Sequence, residues 1–416
     1  MTTRTSDVLI LGGGVIGLAS AYYLLQAGRS VTVLEQNGVG SGSSHGNCGT
    51  LTPSHAMPLA TPGVIGDGLR WLFKADAPLR IKPTLDPALV RWLFGFVGRC
   101  NWKDFEHALR VKAPLLVRSR ALIEELVQRE QLDCEFAALG TLSVYRDAAS
   151  FVHACALNER VAAVGIAAET LDGAATLARE PALKPGVAGA LFYPGDAQLR
   201  PDRYVAELAR SVRAKGGEIV EGACVQGIVR DAARIAKVAT SAGDFAGREI
   251  VLALGAWTPR LAAQIGLRVP IQPGKGYSIT YTRPARSPRI PMTLKERSVC
   301  VTAWGSGFRL GSTMEFAGYD ATLNRTRLDA LRRGAAEYLH EPEGPSVTEE
   351  WYGWRPMTPD DLPVIGRARG TDNLVLATGH GMLGVTLSAV TGLLVSEVIA
   401  GKPSCDLAPF AAERFT

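Results

Sequence analysis

The sequence predicts an α/β fold in which an α+β domain, built on an antiparallel sheet, is inserted into a Rossmann-like domain. Three observations carry this. Residues 7–35 run strand, glycine loop, helix, strand in one βαβ unit. A second buried strand, 248–257, returns far along the chain and suits the same parallel sheet. From 271 to 311 the pattern changes to short alternating strands rich in Tyr, Thr and Arg, as in an antiparallel sheet.

The βαβ unit is the most informative stretch. Val8 to Leu11 is an apolar run suited to a buried parallel strand. Gly12-Gly13-Gly14-Val15-Ile16-Gly17 follows as a G-x-G-x-x-G loop, then a helix with Leu18, Ala21, Tyr22, Leu24 and Leu25 inward. Gly28 suits the helix C-terminus, and Val31 to Leu34 is the second strand. Gly12 permits the tight turn, Gly14 lets backbone amides approach a pyrophosphate, and Gly17 lets helix pack on strand. Glu35 ends the second strand, 18 residues past Gly17, where a ribose diol needs an acceptor. Together these form a dinucleotide-binding fingerprint.

At 416 residues the chain exceeds one ordinary core, so two domains are expected. An excess of five positive charges, scattered along the chain, suggests no nucleic-acid role. Seven cysteines make no C-x-x-C pair and have no neighbouring His cluster, so reduced thiols in a cytoplasmic protein and no metal site are expected. The first apolar run is the nucleotide-binding strand rather than a signal peptide.

After Glu35 and Gln36, residues 38–49 form a small, polar, glycine-rich loop able to line a cofactor with backbone donors. The stretch 51–100 is broken by prolines and mixes Arg70, Trp71, Leu72, Phe73, Lys74 and Pro78 with Arg91, Trp92, Phe94, Phe96 and Arg99. It suits either a membrane-surface patch or helices packed into the second domain. Residues 104–130 read as an amphipathic helix interrupted early by Pro114. Strands at 140–145 and 190–193, helices at 151–164, 201–215 and 325–339, and a strand region at 218–229 follow. Near the end, a strand at 373–377 enters Gly379-His380-Gly381-Met382-Leu383-Gly384 and then a helix to about 400, whose N-terminus suits an anion.

The fingerprint, Ser43-Ser44, Leu254-Gly255-Ala256-Trp257, Trp354-Arg355-Pro356-Met357-Thr358-Pro359-Asp360 and the 379–384 loop come in the order seen in D-amino acid oxidase-like flavoproteins, which the chain resembles. The stretch 54–63 narrows the resemblance to the bacterial D-amino acid dehydrogenase small subunit and relatives acting on cis-4-hydroxy-D-proline and other secondary amines.

The resemblance implies a Rossmann-like FAD-binding domain over 1–85, 200–265 and 352–416, and an inserted substrate-binding domain over 86–199 and 266–351. It implies FAD held by Gly12, Gly14, Val15, Ile16, Gly17, Glu35 and Gln36, with Val225 at the adenine. Further contacts fall to Ser43, Ser44, Asn47, Gly49, Gly255, Trp257 and the residues Gly379, His380, Gly381, Met382, Leu383 and Gly384. No cysteine stands in Gly353-Trp354-Arg355, so noncovalent FAD is expected.

Oxidising an α-amino acid requires a held carboxylate, and the planar arginine fork suits it. Arg355 is the expected clamp, with Tyr277 as a second contact or a plain sheet residue. His55, Tyr319 and Tyr352 are further pocket candidates. Lys275 reads as a solvated lysine, and no residue is obliged to act as general base. The expected activity is a D-amino acid dehydrogenase that passes electrons to a quinone or other carrier. Alternatives are a D-proline or hydroxy-D-proline dehydrogenase, a sarcosine- or glycine-type oxidase, and a noncatalytic FAD-binding subunit. Peripheral contact with the inner membrane is a further expectation.

Overall fold

The structure, a computed structural model, describes residues 3–63, 66, 79–83 and 86–415. Arg70, Trp71, Leu72, Phe73, Lys74 and Pro78 of the aromatic and basic stretch lie outside the described residues. Two large sheets organise the rest.

In the first sheet, Arg4–Leu11 is central because Val8 to Leu11 are all apolar and buried, as a strand covered on both faces must be. It pairs in parallel with Val31–Leu34 and with Gly243–Leu252. Glu218–Val220 and Leu374–Thr378 extend the parallel set outward. The single strand region expected at 218–229 is two strands, because the chain leaves the sheet edge after Val220. It re-enters as Val225–Asp231, hairpinned to Arg234–Thr240.

Glycines set how closely the helix Val15–Gln26 approaches this sheet. Gly12 has φ +110°, and a Cβ on Gly17 would stand 1.9 Å from the Gly12 carbonyl oxygen. The expected one-sided burial does not hold. Ala19, Ser20 and Tyr23 are buried as well, because Ser388–Ile399 covers the outer side and brings Gly392 against the Ala19 backbone. A helix buried all round loses its amphipathic signature.

The second sheet has nine strands, and its longest are Gln272–Tyr281, Gly307–Phe316 and Val347–Met357. It is mixed rather than wholly antiparallel. Leu79–Ile81 pairs in parallel with Gly307–Phe316, and Met292–Leu294 pairs in parallel with Thr141–Tyr145, each across a long connection. The helix Arg325–Tyr338 covers one face, burying Leu328 and Leu331 against Tyr277, Ile279 and Tyr281.

These pairings correct three domain assignments. Residues 79–81 and 352–357, expected in the cofactor domain, hydrogen-bond into the second sheet. Ile123 and Leu126, expected in the substrate domain, bury with Leu18 and Tyr22. Their helix, Trp102–Glu130, is continuous over 29 residues despite Pro114. An interior proline costs about 3 kcal/mol. Phe105, Leu109, Leu116, Ile123 and Leu126 are buried along the same helix, at roughly 1.5–3 kcal/mol each, and outweigh it.

Asp196 joins the two halves from a tight turn. Its carboxylate accepts from the Ser54 amide at 3.1 Å and from the Ser54 and Thr141 hydroxyls at 2.5 Å each. Burial raises its pKa to about 6, against the opposing pull of these hydrogen bonds. An acid raised in the folded state binds more protons folded than unfolded. Its contribution to stability is therefore full below about pH 4 and is lost as pH rises through about 6. Asp196→Asn keeps an acceptor for Ser54 and is expected to flatten this decline, worth up to about 3 kcal/mol. Urea unfolding midpoints between pH 4 and 7 measure it, and an unchanged slope in the variant would exclude Asp196 as the source. Gly17→Ala is expected to cost roughly 1–3 kcal/mol by forcing the helix off the Gly12 turn. An unaltered Tm would contradict that close approach.

Candidate active site

A cavity of about 1010 Å³ is lined by residues of both sheets. On the first-sheet side its wall includes Gly12, Gly14, Val15, Ile16, Glu35, Gln36, Val225, Gly255 and Trp257. The Glu35 carboxylate accepts from the Gly13 amide at 2.8 Å and the Asn37 amide at 3.0 Å. Gly14 caps the helix Val15–Gln26 with no side-chain hydrogen bond, and a Cβ there would meet only Ser44 Oγ, at 3.5 Å. The protein does not fill the space over this helix end, where backbone amides and the helix dipole favour an anion.

The loop after Gln36 closes over the cavity. Ser44 Oγ accepts from the Val15 amide at 3.1 Å, and Ser43 Oγ donates to the Trp354 carbonyl. Asn47 Oδ1 accepts from the Gly49 amide at 2.7 Å. Arg309 donates to the carbonyls of His45 and Asn47, at 3.0 and 2.7 Å, and so ties the loop to the second sheet.

At the C-terminal side, His380, Gly381, Met382, Leu383 and Gly384 line the cavity. The helix expected directly after them begins only at Ser388, because the intervening residues form tight turns, Leu383 N to His380 O among them. Its dipole therefore starts several residues beyond the glycines. His380 Nε2 lies 2.9 Å from Thr391 Oγ1, and burial drives the ring pKa down to about 3, so it is neutral. Gly17, Gly49 and Gly379 do not line the cavity. Gly17 serves packing, Gly49 lies against the Leu199 carbonyl, and Gly379 lies against Thr358.

On the second-sheet side, Arg355 opens on the cavity. Its Nη1 donates to the Thr313 carbonyl at 2.7 Å, and its Nη2 lies 3.5 Å from the Ser312 carbonyl. Gly276 makes room for it, since a Cβ there would stand 2.4 Å from the guanidinium. Burial lowers the Arg355 pKa, opposed by the neighbouring Cys48 and Cys300 thiols, yet a guanidinium stays charged. Among the described residues no carboxylate pairs with it.

Strand parity separates the other candidates. Tyr277, one residue past Gly276, points to the opposite face, where its hydroxyl donates to Glu315 at 2.7 Å in the core. It is corrected from a substrate contact to a core residue. Tyr319 is also off the cavity wall. Its hydroxyl donates to the Ala256 carbonyl at 2.6 Å, and its ring backs Trp257 and Trp354. Lys275 is buried rather than solvated, donates to the Thr322 carbonyl and lies outside the cavity.

Tyr352 and His55 do line the cavity, His55 from the 3-10 turn Pro53–Ala56. Trp257 and Trp354 meet edge to face at 5.4 Å on the wall. Trp351 lies over Gly46 and Gly353, where any Cβ would fall within about 2.2 Å of its ring.

The structure adds residues that the sequence reading did not single out. Cys48 and Cys300 line the wall, and the hydrogen bond between them, then the charges of Arg309 and Arg355, lower the Cys48 pKa against burial. Lys295 also lines it. Asp361, held at φ +57°, accepts from the buried Lys112 ammonium at 2.7 Å and fixes the turn after Met357. Cys48 was within reach as part of the glycine loop. Lys295 carries no local signal, because only the hairpin around it turns it inward.

The DAO family, FAD dependent oxidoreductase, matches residues 7–398. The chain is 36% identical to D-amino acid dehydrogenase of Rhizorhabdus wittichii over 419 residues, covering 98% of this chain and 100% of that protein. It is 36% identical to D-amino acid dehydrogenase of Paramagnetospirillum magneticum over 417 residues, 98% of this chain and 99% of that one. Among solved structures, glycine oxidase from Geobacillus kaustophilus superposes with TM-score 0.79 at 26% identity, over 99% of each chain. The glycine cradle, the open helix end at Gly14 and the volume of the cavity fit FAD. The chain belongs to the DAO family of FAD-dependent oxidoreductases.

Proposed function

We propose that the chain is an FAD-dependent D-amino acid dehydrogenase. The observation that carries this is Arg355, a guanidinium on the cavity wall served, among the described residues, by peptide carbonyls. Its charge is free for an α-carboxylate, which it would bind through two charge-assisted hydrogen bonds. The names of the curated relatives support the same reading.

FAD, when bound noncovalently, supplies the two-electron acceptor for a hydride from the substrate Cα. Arg355 fixes the carboxylate and hence the direction of the Cα–H bond, so positioning carries much of the rate. Trp257, Trp351, Trp354 and Tyr352 exclude water around it. Loss of hydride from Cα and of a proton from the amine leaves an imino acid. Water then converts it to the 2-oxo acid and ammonia. The aromatic wall also favours the second reading, a cyclic secondary amine such as D-proline or cis-4-hydroxy-D-proline.

The electron acceptor we infer is a membrane quinone, reached at the inner face of the membrane. The helix Pro87–Arg99 supports this with two apolar faces. Trp92, Leu93 and Phe96 line the cavity, while Val90 and Phe94 are exposed, Phe94 by 75%. Arg91, also exposed on this helix, suits anionic headgroups.

Anaerobic mixing of the purified yellow protein with D-amino acids is expected to bleach the flavin, whereas L-enantiomers should not. Bleaching by D-proline or hydroxy-D-proline alone would select the cyclic substrate, and bleaching by none would leave a noncatalytic subunit. Arg355→Met is expected to lower kcat/KM roughly a hundredfold or more. A second measurement addresses the membrane. Phe94→Glu should weaken cosedimentation with anionic vesicles while the FAD spectrum stays intact, and equal sedimentation of both proteins would overturn that surface.

A further inference from the structure

Three cations line the cavity with no carboxylate paired to them among the described residues. Besides Arg355, Arg260 is exposed and stacks over the Tyr319 ring at 3.8 Å. The third is Lys295, in the short turn Lys295–Arg297 that follows the strand Met292–Leu294. Among the described residues no hydrogen bond or ion pair engages its ammonium. Its neighbour Glu296 is already taken, accepting from the amides of Arg146 and Asp147 at 3.0 Å each and from the Tyr338 hydroxyl. The acids on the cavity wall are engaged as well. Asp361 is paired with Lys112, and Glu35 accepts from the amides at the nucleotide end.

Strand register connects Lys295 to the Arg355 region. Arg355 acts electrostatically on Cys48 and Cys300. Cys300 pairs across the hairpin with Thr293, and both open on the cavity. Lys295 follows Thr293 by two residues, at the first position of the turn beyond the strand end, and opens on the same cavity. His55 faces this region from the 3-10 turn that Asp196 holds. Burial, then the charges of Lys295 and Lys112, keep the His55 ring neutral, so it offers hydrogen bonds and no countercharge.

An ammonium half-buried on a cavity wall with no countercharge paired to it is costly, and a carboxylate that arrives with a ligand supplies that charge. We propose that Lys295, with His55 beside it, is the side-chain subsite of the substrate pocket and takes a second carboxylate, selecting dicarboxylic D-amino acids such as D-glutamate and D-aspartate. This rests on Arg355 holding the α-carboxylate. The chemistry of the oxidation is unchanged, and Lys295 acts in recognition only.

The test separates this inference from the activity itself. In the holoenzyme, the ratio of kcat/KM for D-glutamate to that for D-alanine is expected to fall about tenfold to a hundredfold in Lys295→Met, and to recover in part in Lys295→Arg. An unchanged ratio, or bleaching by D-alanine with none by D-glutamate in the parent protein, would overturn the subsite and leave the D-amino acid reading intact. Calorimetric titration with glutarate and with butyrate needs no turnover. Glutarate should bind the parent more tightly by a similar factor, and Lys295→Met should abolish the difference. Equal binding of the two acids would overturn the subsite, as would loss of FAD rather than of glutarate affinity in the variant.

Discussion

A guanidinium enclosed by protein with only peptide carbonyls for partners is an unbalanced charge, and the second-sheet half of the site is arranged around it. Burial pushes Arg355 toward the neutral form, yet its ordinary pKa is so high that the charge persists. The protein accommodates it by removing matter. Gly276 has no Cβ where one would strike the guanidinium, and Gly46 and Gly353 clear the face on which Trp351 lies. A cation held in place before any ligand arrives pays little reorganisation when a carboxylate binds, which is the main physical advantage of a preorganised site.

The same loop serves both halves of the molecule. Ser44 receives the Val15 amide at the nucleotide helix, Ser43 donates to the Trp354 carbonyl next to Arg355, and Arg309 holds the peptide groups of His45 and Asn47. The loop thus couples the first-sheet end of the cavity to the Arg355 end through hydrogen bonds between side chains and peptide groups. Asp196 does comparable work on the other side, linking Ser54 to Thr141. A shift of one sheet against the other would have to break several of these bonds together.

What the sequence made legible follows from which atoms do the work. The first-sheet wall of the cavity includes glycine backbone, and Gly12 and Gly14 announce it by spacing alone. Glu35 is read the same way. The second-sheet wall carries side chains on a sheet whose register is set by distant segments. Tyr277 and Gly276 are adjacent in sequence, and only strand parity shows that the glycine faces the Arg355 guanidinium and the tyrosine the core. Lys275 and Lys295 show the same limit in opposite directions. Neither carries a local pattern, and only the folded strands turn one away from the cavity and the other into it. The long helix over 104–130 is legible from its apolar spacing, and Pro114 does not break it because that apolar face outweighs the local penalty.

The separation of backbone from side-chain recognition has a consequence for specificity. Replacing Gly17 would displace the Gly12 turn, since a Cβ there would stand 1.9 Å from the Gly12 carbonyl oxygen. Replacing a side chain on the second-sheet wall changes only what can lie between Arg355 and the rest of the pocket. Lys295, Thr293 and Cys300 sit on one short hairpin whose backbone pairing does not depend on those side chains. Charge at that hairpin can therefore vary without disturbing either the nucleotide fingerprint or the carboxylate clamp.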